Sequence, residues 1–181
     1  WNGRKCLVEM TETSAPLVSV MMIVNNGERF LIEALDSVFY QTFRDFEVIV
    51  VDDGSTDDTP KILSAYSSRE PKLTVVTNQD KSGIPKSRNI ACRQSRGKYL
   101  AVLDADDVSL PDRLKRQVLF LENNSDIAAV GSAGNLIDED SAIQAKIAVP
   151  SVPAHVKWFL NFDNAFIHSS VMVRRDTAAS Y

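Results

Sequence analysis

Cysteine is nearly absent from this 181-residue chain, which has two, Cys6 and Cys92, far apart in sequence. Their spacing matches neither a zinc-binding pair nor a disulfide-stapled scaffold, and it fits a reducing cytoplasm. Long apolar runs are also missing. The first strand-like stretch, residues 17–24, stops at Asn25-Asn26-Gly27, well short of the roughly 18 to 20 residues that a membrane-spanning helix needs. Positive charge is in deficit, with 20 Lys and Arg against 24 Asp and Glu and a net charge of -4. That balance argues against general affinity for nucleic acid, because phosphate backbones select basic surfaces. No repeat or low-complexity linker occurs, and no Gly-X-Gly-X-X-Gly follows the first strand, which argues against a dinucleotide oxidoreductase. What is present has globular character: 44% hydrophobic and 24% charged side chains, in a chain long enough for one well-buried core.

The opening residues 1–16 carry no periodicity and begin with Trp1, so they are expected to form a loosely ordered arm before a single domain over 17–181. From there strand and helix signals alternate. Strands are expected at 17–24, 46–51, 73–77 and 99–103, and helices at 29–41, from Thr59 as cap to about 67, at 84–95 and at 112–123. This βαβα pattern implies an α/β fold with a mostly parallel sheet. The character changes after about residue 124. A strand over 127–137, a second extended stretch over 142–149, a helix over 154–162 and a strand over 169–173 read as an added, substrate-side part.

Two acidic clusters close two of the strand runs: Asp52-Asp53-Gly54-Ser55 and Asp104-Ala105-Asp106-Asp107. In a parallel sheet the carboxyl ends of strands face one crevice, where α/β folds bind ligands. Carboxylates gathered there repel one another unless a cation or ligand donors share the space, which suggests a hard divalent metal and a phosphate-bearing substrate. Taken alone, each cluster fits equally a polar strand-end turn, with Gly54 supplying a positive φ. Alternation in an extended segment would put Asp104 and Asp106 on one face.

The ordered series Asn26-Gly27-Glu28, Gln41-Thr42-Phe43, Val51-Asp52-Asp53-Gly54-Ser55, Ser87-Arg88-Asn89, Asp104-Ala105-Asp106-Asp107, Pro111-Asp112-Arg113-Leu114 and His168-Ser169-Ser170 resembles the family 2 glycosyltransferases. The resemblance spans about 17–175 and implies a GT-A fold, a Rossmann-like three-layer α/β/α domain that binds nucleoside-diphosphate sugars. The nucleotide part would be about 17–124 and the start of the acceptor part 125–181. It implies that Asp53, or its neighbour Asp52, accepts the base N-H of a pyrimidine nucleotide. It further implies that Asp104, Ala105 and Asp106 meet the ribose and, through Asp106 with Asp104, a Mg2+ or Mn2+ bridging two phosphates. Arg88 would lie near the diphosphate or base, with Gly83 allowing close approach, and His168 on the acceptor side. Read without the family, Arg88 is a solvated helix arginine, His168 a satisfied core histidine, and Asp112 and Arg113 a cap and an exposed pair.

Two departures stand out. Where the family commonly reads Pro-X-Tyr-Asn, this chain has Ile23-Val24-Asn25-Asn26, so Ile23 and other apolar walls would replace an aromatic platform and Asn25 would line the loop. The Glu-Asp pair that supplies the base in inverting members follows the segment matching His168 to Arg175, and the chain stops at Tyr181. The catalytic base is therefore expected beyond Tyr181, in an apparently truncated domain.

The resemblance implies inverting, metal-dependent transfer from a nucleoside-diphosphate sugar, with a UDP-sugar preferred, to a hydroxyl of a cell-envelope glycan or lipid-linked acceptor. Location would be cytoplasmic, peripheral at the inner face of the membrane. The alternative is a nucleotide-sugar-binding module without catalysis. A response-regulator receiver and a sugar nucleotidyltransferase explain one feature each but not both acidic clusters and Arg88.

Overall fold

The computed structural model describes residues 15–178, so all but the last two residues of the expected N-terminal arm lie outside it. Its elements run β1 (Val18–Val24), α1 (Leu31–Phe39), β2 (Phe46–Asp52), α2 (Thr59–Arg69), β3 (Leu73–Thr77), α3 (Ile84–Gln94), β4 (Tyr99–Val102), α4 (Arg113–Asn123), β5 (Ala129–Val130), β6 (Gly134–Ile137), β7 (Ile143–Ile147), α5 (Pro153–Phe159), a 3-10 turn (His168–Ser170), β8 (Met172–Arg174) and α6 (Arg175–Ala178). The main sheet has the order β3-β2-β1-β4-β8-β5. β3, β2, β1 and β4 pair in parallel, whereas β8 pairs antiparallel with both β4 and β5.

The layers follow from side-chain alternation along apolar strands. Val18, Val20, Met22 and Val24 of β1 share one side with Phe46, Val48 and Val50 of β2 and Tyr99 and Ala101 of β4. That side is covered by Leu31, Ala34, Leu35 and Val38 of α1, Leu63 and Tyr66 of α2, and Leu114, Val118 and Leu121 of α4. Met21, Ile49, Val51, Leu100 and Val102 face the other side, against Ala91 of α3 with Ile90 and Cys92. Truncating a core leucine such as Leu35, which is fully buried, would cost about 2 to 5 kcal/mol through lost transfer energy and the cavity left behind. The helix from β3 to β4 travels back across the sheet, opposite in direction to the β1-to-β2 step, and a right-handed crossover then places it on the opposite face. The expected mostly parallel α/β sheet between helical layers is thus observed.

Several local expectations are corrected. Asp58, not Thr59, takes the N-cap position of α2; the Thr59 hydroxyl instead accepts the Gly27 amide at 2.9 Å and fastens the β1–α1 loop. The expected strand over 127–137 splits into β5 and β6. Between them Gly131 lies against the Phe166 ring and Ser132 N-H bonds the Ser170 hydroxyl at 3.0 Å. Ser169 and Ser170, expected in a strand, form the 3-10 turn, and the strand starts at Met172. Their hydroxyls bond Asp104 and the carbonyls of Ile167 and Ser132, a local alternative to ladder pairing.

β6 and β7 form a separate hairpin. Its tip folds toward α1, where Glu139 pairs with Arg29 and the Ser141 hydroxyl donates to Glu33. Among the described residues no helix is long and apolar enough to cross a membrane.

Candidate functional site

The sheet reverses its direction of growth between β1 and β4: β2 and β3 extend on one side of β1, β4 and its neighbours on the other. Such a switch point opens a crevice at the carboxyl ends of the strands. β2 ends at Asp52, in register with Val24 of β1 and Thr77 of β3, and the acidic turn follows β4. Both acidic clusters therefore stand on the same sheet edge, either side of β1.

Asp53 is 2% exposed and densely bonded. Its Oδ1 accepts the Ser82 amide and hydroxyl at 2.9 Å each, the Ser87 hydroxyl at 2.9 Å and Asn78 Nδ2 at 2.7 Å. Its Oδ2 accepts one protein donor, the Gly83 amide at 2.8 Å. Burial alone would raise the Asp53 pKa, but the bonds from the Ser82 amide, Asn78, Ser87 and the Ser82 hydroxyl outweigh it and hold the carboxyl well below the usual range. The carboxylate thus folds the 78–83 loop around itself while Oδ2 keeps acceptor capacity. Asp52, 1% exposed, turns elsewhere and accepts the Ser55 amide at 3.0 Å.

Gly54 completes this corner. Its φ is +73°, and an added Cβ would sit 2.9 Å from the Lys81 nitrogen, so the β2 turn and the 80–81 backbone touch directly. Asn25 spans the gap from β1: its Nδ2 donates to the carbonyl oxygens of Asp53 and Gly54 at 3.0 and 3.3 Å, and its Oδ1 accepts Lys81 Nζ at 2.8 Å. Ile23 is partly buried on the α3 side of the sheet. Gly83, with φ +90°, sits at the N-cap of α3.

Across β1, the strand stops at Val102 and residues 104–107 turn, closed by the Asp107 amide on the Asp104 carbonyl at 3.2 Å. Alternation therefore does not set the directions of Asp104 and Asp106, contrary to expectation, because the segment carrying them is not extended. Asp104 exchanges two bonds with Ser169: its amide donates to the hydroxyl at 3.1 Å and the hydroxyl donates to Oδ2 at 2.6 Å. Ala105 packs at the core margin. Asp106 is exposed, and no hydrogen bond or ion pair to it occurs among the described residues. No three His, Cys, Asp or Glu side chains gather to hold a cation by themselves among those residues. Two hard oxygen donors at the turn still suit a divalent ion that takes its other ligands from phosphate and water.

Arg88 lies in α3 and is partly buried rather than solvated, with its Nε shielded from water and without an acceptor. Such an orphaned donor fits an anionic ligand oxygen. His168 is exposed at the start of the 3-10 turn, not a core side chain. Arg113 is not an exposed residue either: Nη2 donates to the Val102 carbonyl at 2.7 Å. A groove of about 630 Å³ opens on the outer side of the 78–83 loop, lined by Asn78, Ser82, Lys86, Asn89 and Arg93 among others. It includes none of Asp52, Asp104, Asp106 or Arg88.

The structure thus brings Asn25, Asp53 and Gly83 into one bonded cluster and Asp104 beside the His168–Ser170 turn. The donors come from Asn78 and Ser82, which the sequence did not single out, and from Ser87 and Ser169, which stand in the matching series without an assigned role. The polar run Asn78-Gln79-Asp80-Lys81-Ser82-Gly83 was the available signal for the first two.

The sequence matches glycosyl transferase family 2 over residues 19–176. It is 34% identical over 166 residues to an uncharacterized glycosyltransferase, MJ1057, of Methanocaldococcus jannaschii, covering 90% of this chain and 57% of that protein. It is 33% identical to the putative glycosyltransferase EpsE of Bacillus subtilis, covering 89% of this chain and 57% of that one. The chain spans little more than half the length of both relatives. The crystal structure of S. aureus TarS 1-349 in complex with UDP-GlcNAc superposes with a TM-score of 0.69 at 25% identity, over 90% of this chain and 46% of that one. The fold matches the GT-A expectation.

Proposed function

Because the chain belongs to glycosyl transferase family 2, we propose that it forms the donor-binding part of an inverting enzyme that transfers a sugar from a nucleoside-diphosphate sugar to a hydroxyl acceptor. The observation that carries this reading is the pair of features flanking β1 at the switch point: the loop anchored on Asp53 at the end of β2 and the acidic turn at the end of β4.

In this reading the free acceptor capacity of Asp53 Oδ2 takes the base N-H, a preference that a carboxylate, having only acceptors, naturally expresses. Ile23 walls the base and Asn25 holds the β1 loop to the Asp53 corner. Asp104 and Asp106 would hold a Mg2+ or Mn2+, which neutralises charge on the departing diphosphate. The orphaned Nε of Arg88 supplies a donor to the same anion. A UDP-sugar is the favoured donor, supported by the UDP-GlcNAc bound in the TarS relative.

In this reading neither Asp176 nor Asp163 serves as the acceptor base. Asp176 follows β8, whose register pairs Arg174 with Tyr99 at the start of β4, so it stands at the far edge of the sheet from the acidic turn. Asp163 accepts the amide of Asn164 in an exposed loop. That observation also supports the second reading, a nucleotide-sugar-binding module without turnover in these residues. An envelope glycan or lipid-linked acceptor, met at the cytoplasmic face of a membrane, completes the proposal.

The test is thermal stability with UDP, GDP, dTDP and CDP, each with and without Mn2+, repeated for Asp106→Ala. A ligand that binds only the folded state raises stability as RT ln(1 + [L]/Kd). One selective, metal-dependent shift that disappears in the variant is expected. If no nucleotide moves the melting temperature, the donor-binding reading is wrong.

A further inference from the structure

Arg113 opens α4 with its guanidinium turned inward. Nη2 donates to the carbonyls of Val102 at 2.7 Å and Val171 at 3.4 Å, and Nε donates to Gln117 Oε1 at 3.2 Å. Gln117 in turn donates from Nε2 to the Ser170 carbonyl at 2.6 Å. No carboxylate pairs with Arg113 directly among the described residues; Asp107 attracts it from farther away. Burial lowers its pKa to about 10 against that attraction, so the group stays charged at neutral pH. A cation costs free energy to hold away from water. Here it meets backbone carbonyls from two segments remote in sequence: Val102 is the last residue of β4 before the acidic turn, and Val171 follows the His168–Ser170 turn. Those segments meet again where Ser169 grips Asp104 and where the Val102 amide donates to the Val171 carbonyl at 2.9 Å.

We propose that Arg113 is a positioning residue, whose buried guanidinium ties β4 to the segment after the His168–Ser170 turn and so fixes the spacing between the donor-side carboxylates and the acceptor side. The role attributed to Asp104, Asp106 and His168 rests on the reading above; the mechanical tie does not. Gln117 extends the tie, since it orients the guanidinium with one end and holds Ser170 with the other. Lysine cannot reproduce a planar fork that serves two carbonyls and an amide oxygen together.

Hydrogen–deuterium exchange of the intact chain, read by mass spectrometry, tests this in Arg113→Lys, with Arg116→Lys on the exposed face of the same helix as control. Exchange should quicken in segments 103–108 and 167–171, while 20–24 and 48–51 match the unaltered chain. Metal-dependent nucleotide affinity should fall by about 10- to 100-fold, as when a support behind a metal ligand is lost. Unchanged exchange, or a rise of equal size across the core strands, overturns the proposal, the second because it reports only global weakening. Should Arg113→Lys fail to fold, Gln117→Leu cuts the tie at Ser170 and is judged by the same segments. If the unaltered chain binds no nucleotide, the donor-binding reading fails, and the exchange pattern still decides the positioning role.

Discussion

Asp53 and Ser82 are joined twice, because the amide and the hydroxyl of Ser82 both donate to Asp53 Oδ1 at 2.9 Å. The pair turns a strand-end carboxylate into the organiser of a loop that joins β3 to α3. Under the proposed function, stability and recognition are coupled at this point, since the oxygen assigned to a ligand belongs to the carboxylate that holds the loop.

The first prediction concerns acid. Asp53 in the folded chain titrates below its ordinary value of 3.8, so its contribution is complete above that value and is lost as pH falls toward the folded one. Asp53→Asn should cost about 3 kcal/mol at neutral pH, since an amide nitrogen would oppose buried donors. It should also flatten the fall in stability below about pH 4. Urea unfolding at a series of pH values reads both. Glu47 keeps some acid dependence in the variant: burial would raise its pKa, but bonds from Arg96 and Ser19 bring it below the usual carboxylate value.

Gly54→Ala should be among the costlier glycine replacements. It combines a positive φ with a Cβ 2.9 Å from the Lys81 nitrogen and 3.0 Å from the Asp80 carbonyl carbon, both backbone atoms that cannot swing aside. A loss of roughly 2 kcal/mol or more is expected from the φ term and the contact together. Gly83→Ala, where the nearest atom is 4.0 Å away, should lose only the φ term. The difference between the two denaturation midpoints checks the argument.

Gln41 predicts a third effect. Fully buried, it shares the two N–H groups of Nε2 among the carbonyls of Ser37, Ser109 and Leu110 and accepts the Leu114 amide at Oε1, closing the far end of the loop that begins with the acidic turn. Gln41→Leu strips the Leu114 amide and the Ser109 carbonyl of these partners, while the Leu110 carbonyl keeps the Arg113 amide at 3.0 Å, and should destabilise by about 3 kcal/mol. The midpoint of urea unfolding, with the slope unchanged, is the measurement.

Arg88→Met should separate binding from folding. Its buried Nε bonds to nothing in the protein, so removal should leave the melting temperature of the free chain unchanged or slightly raised. Nucleotide affinity should weaken by about tenfold or more, the value of a hydrogen bond to a charged group. Isothermal titration beside a melting curve distinguishes this from a structural arginine, whose loss would lower stability without a ligand.

Much of this was legible in the residues. The four parallel strands and their helices follow from apolar runs and periodicity, because burial between two layers demands continuous apolar strands and one apolar stripe per helix. The positions of Asp53 and Asp104 at strand ends were equally visible. Serine hydroxyls were not. Ser82, Ser87 and Ser169 bond carboxylates far away in sequence, and a small polar residue gives no sign of its partner until the chain has folded. The same holds for Arg113, which looks like any surface arginine in a helix start.

The sequence by itself determined the α/β alternation, the family and the sheet edge on which both acidic clusters stand, since these depend on local patterns and chain order. Only the tertiary structure decided that Asp52 and Asp53 turn to different partners, that residues 104–107 form a turn rather than extended chain, and that the Arg113 guanidinium turns inward between β4 and the segment before β8. Each of these is a competition among donors and acceptors brought together from separate parts of the chain, and no local stretch contains both sides of it.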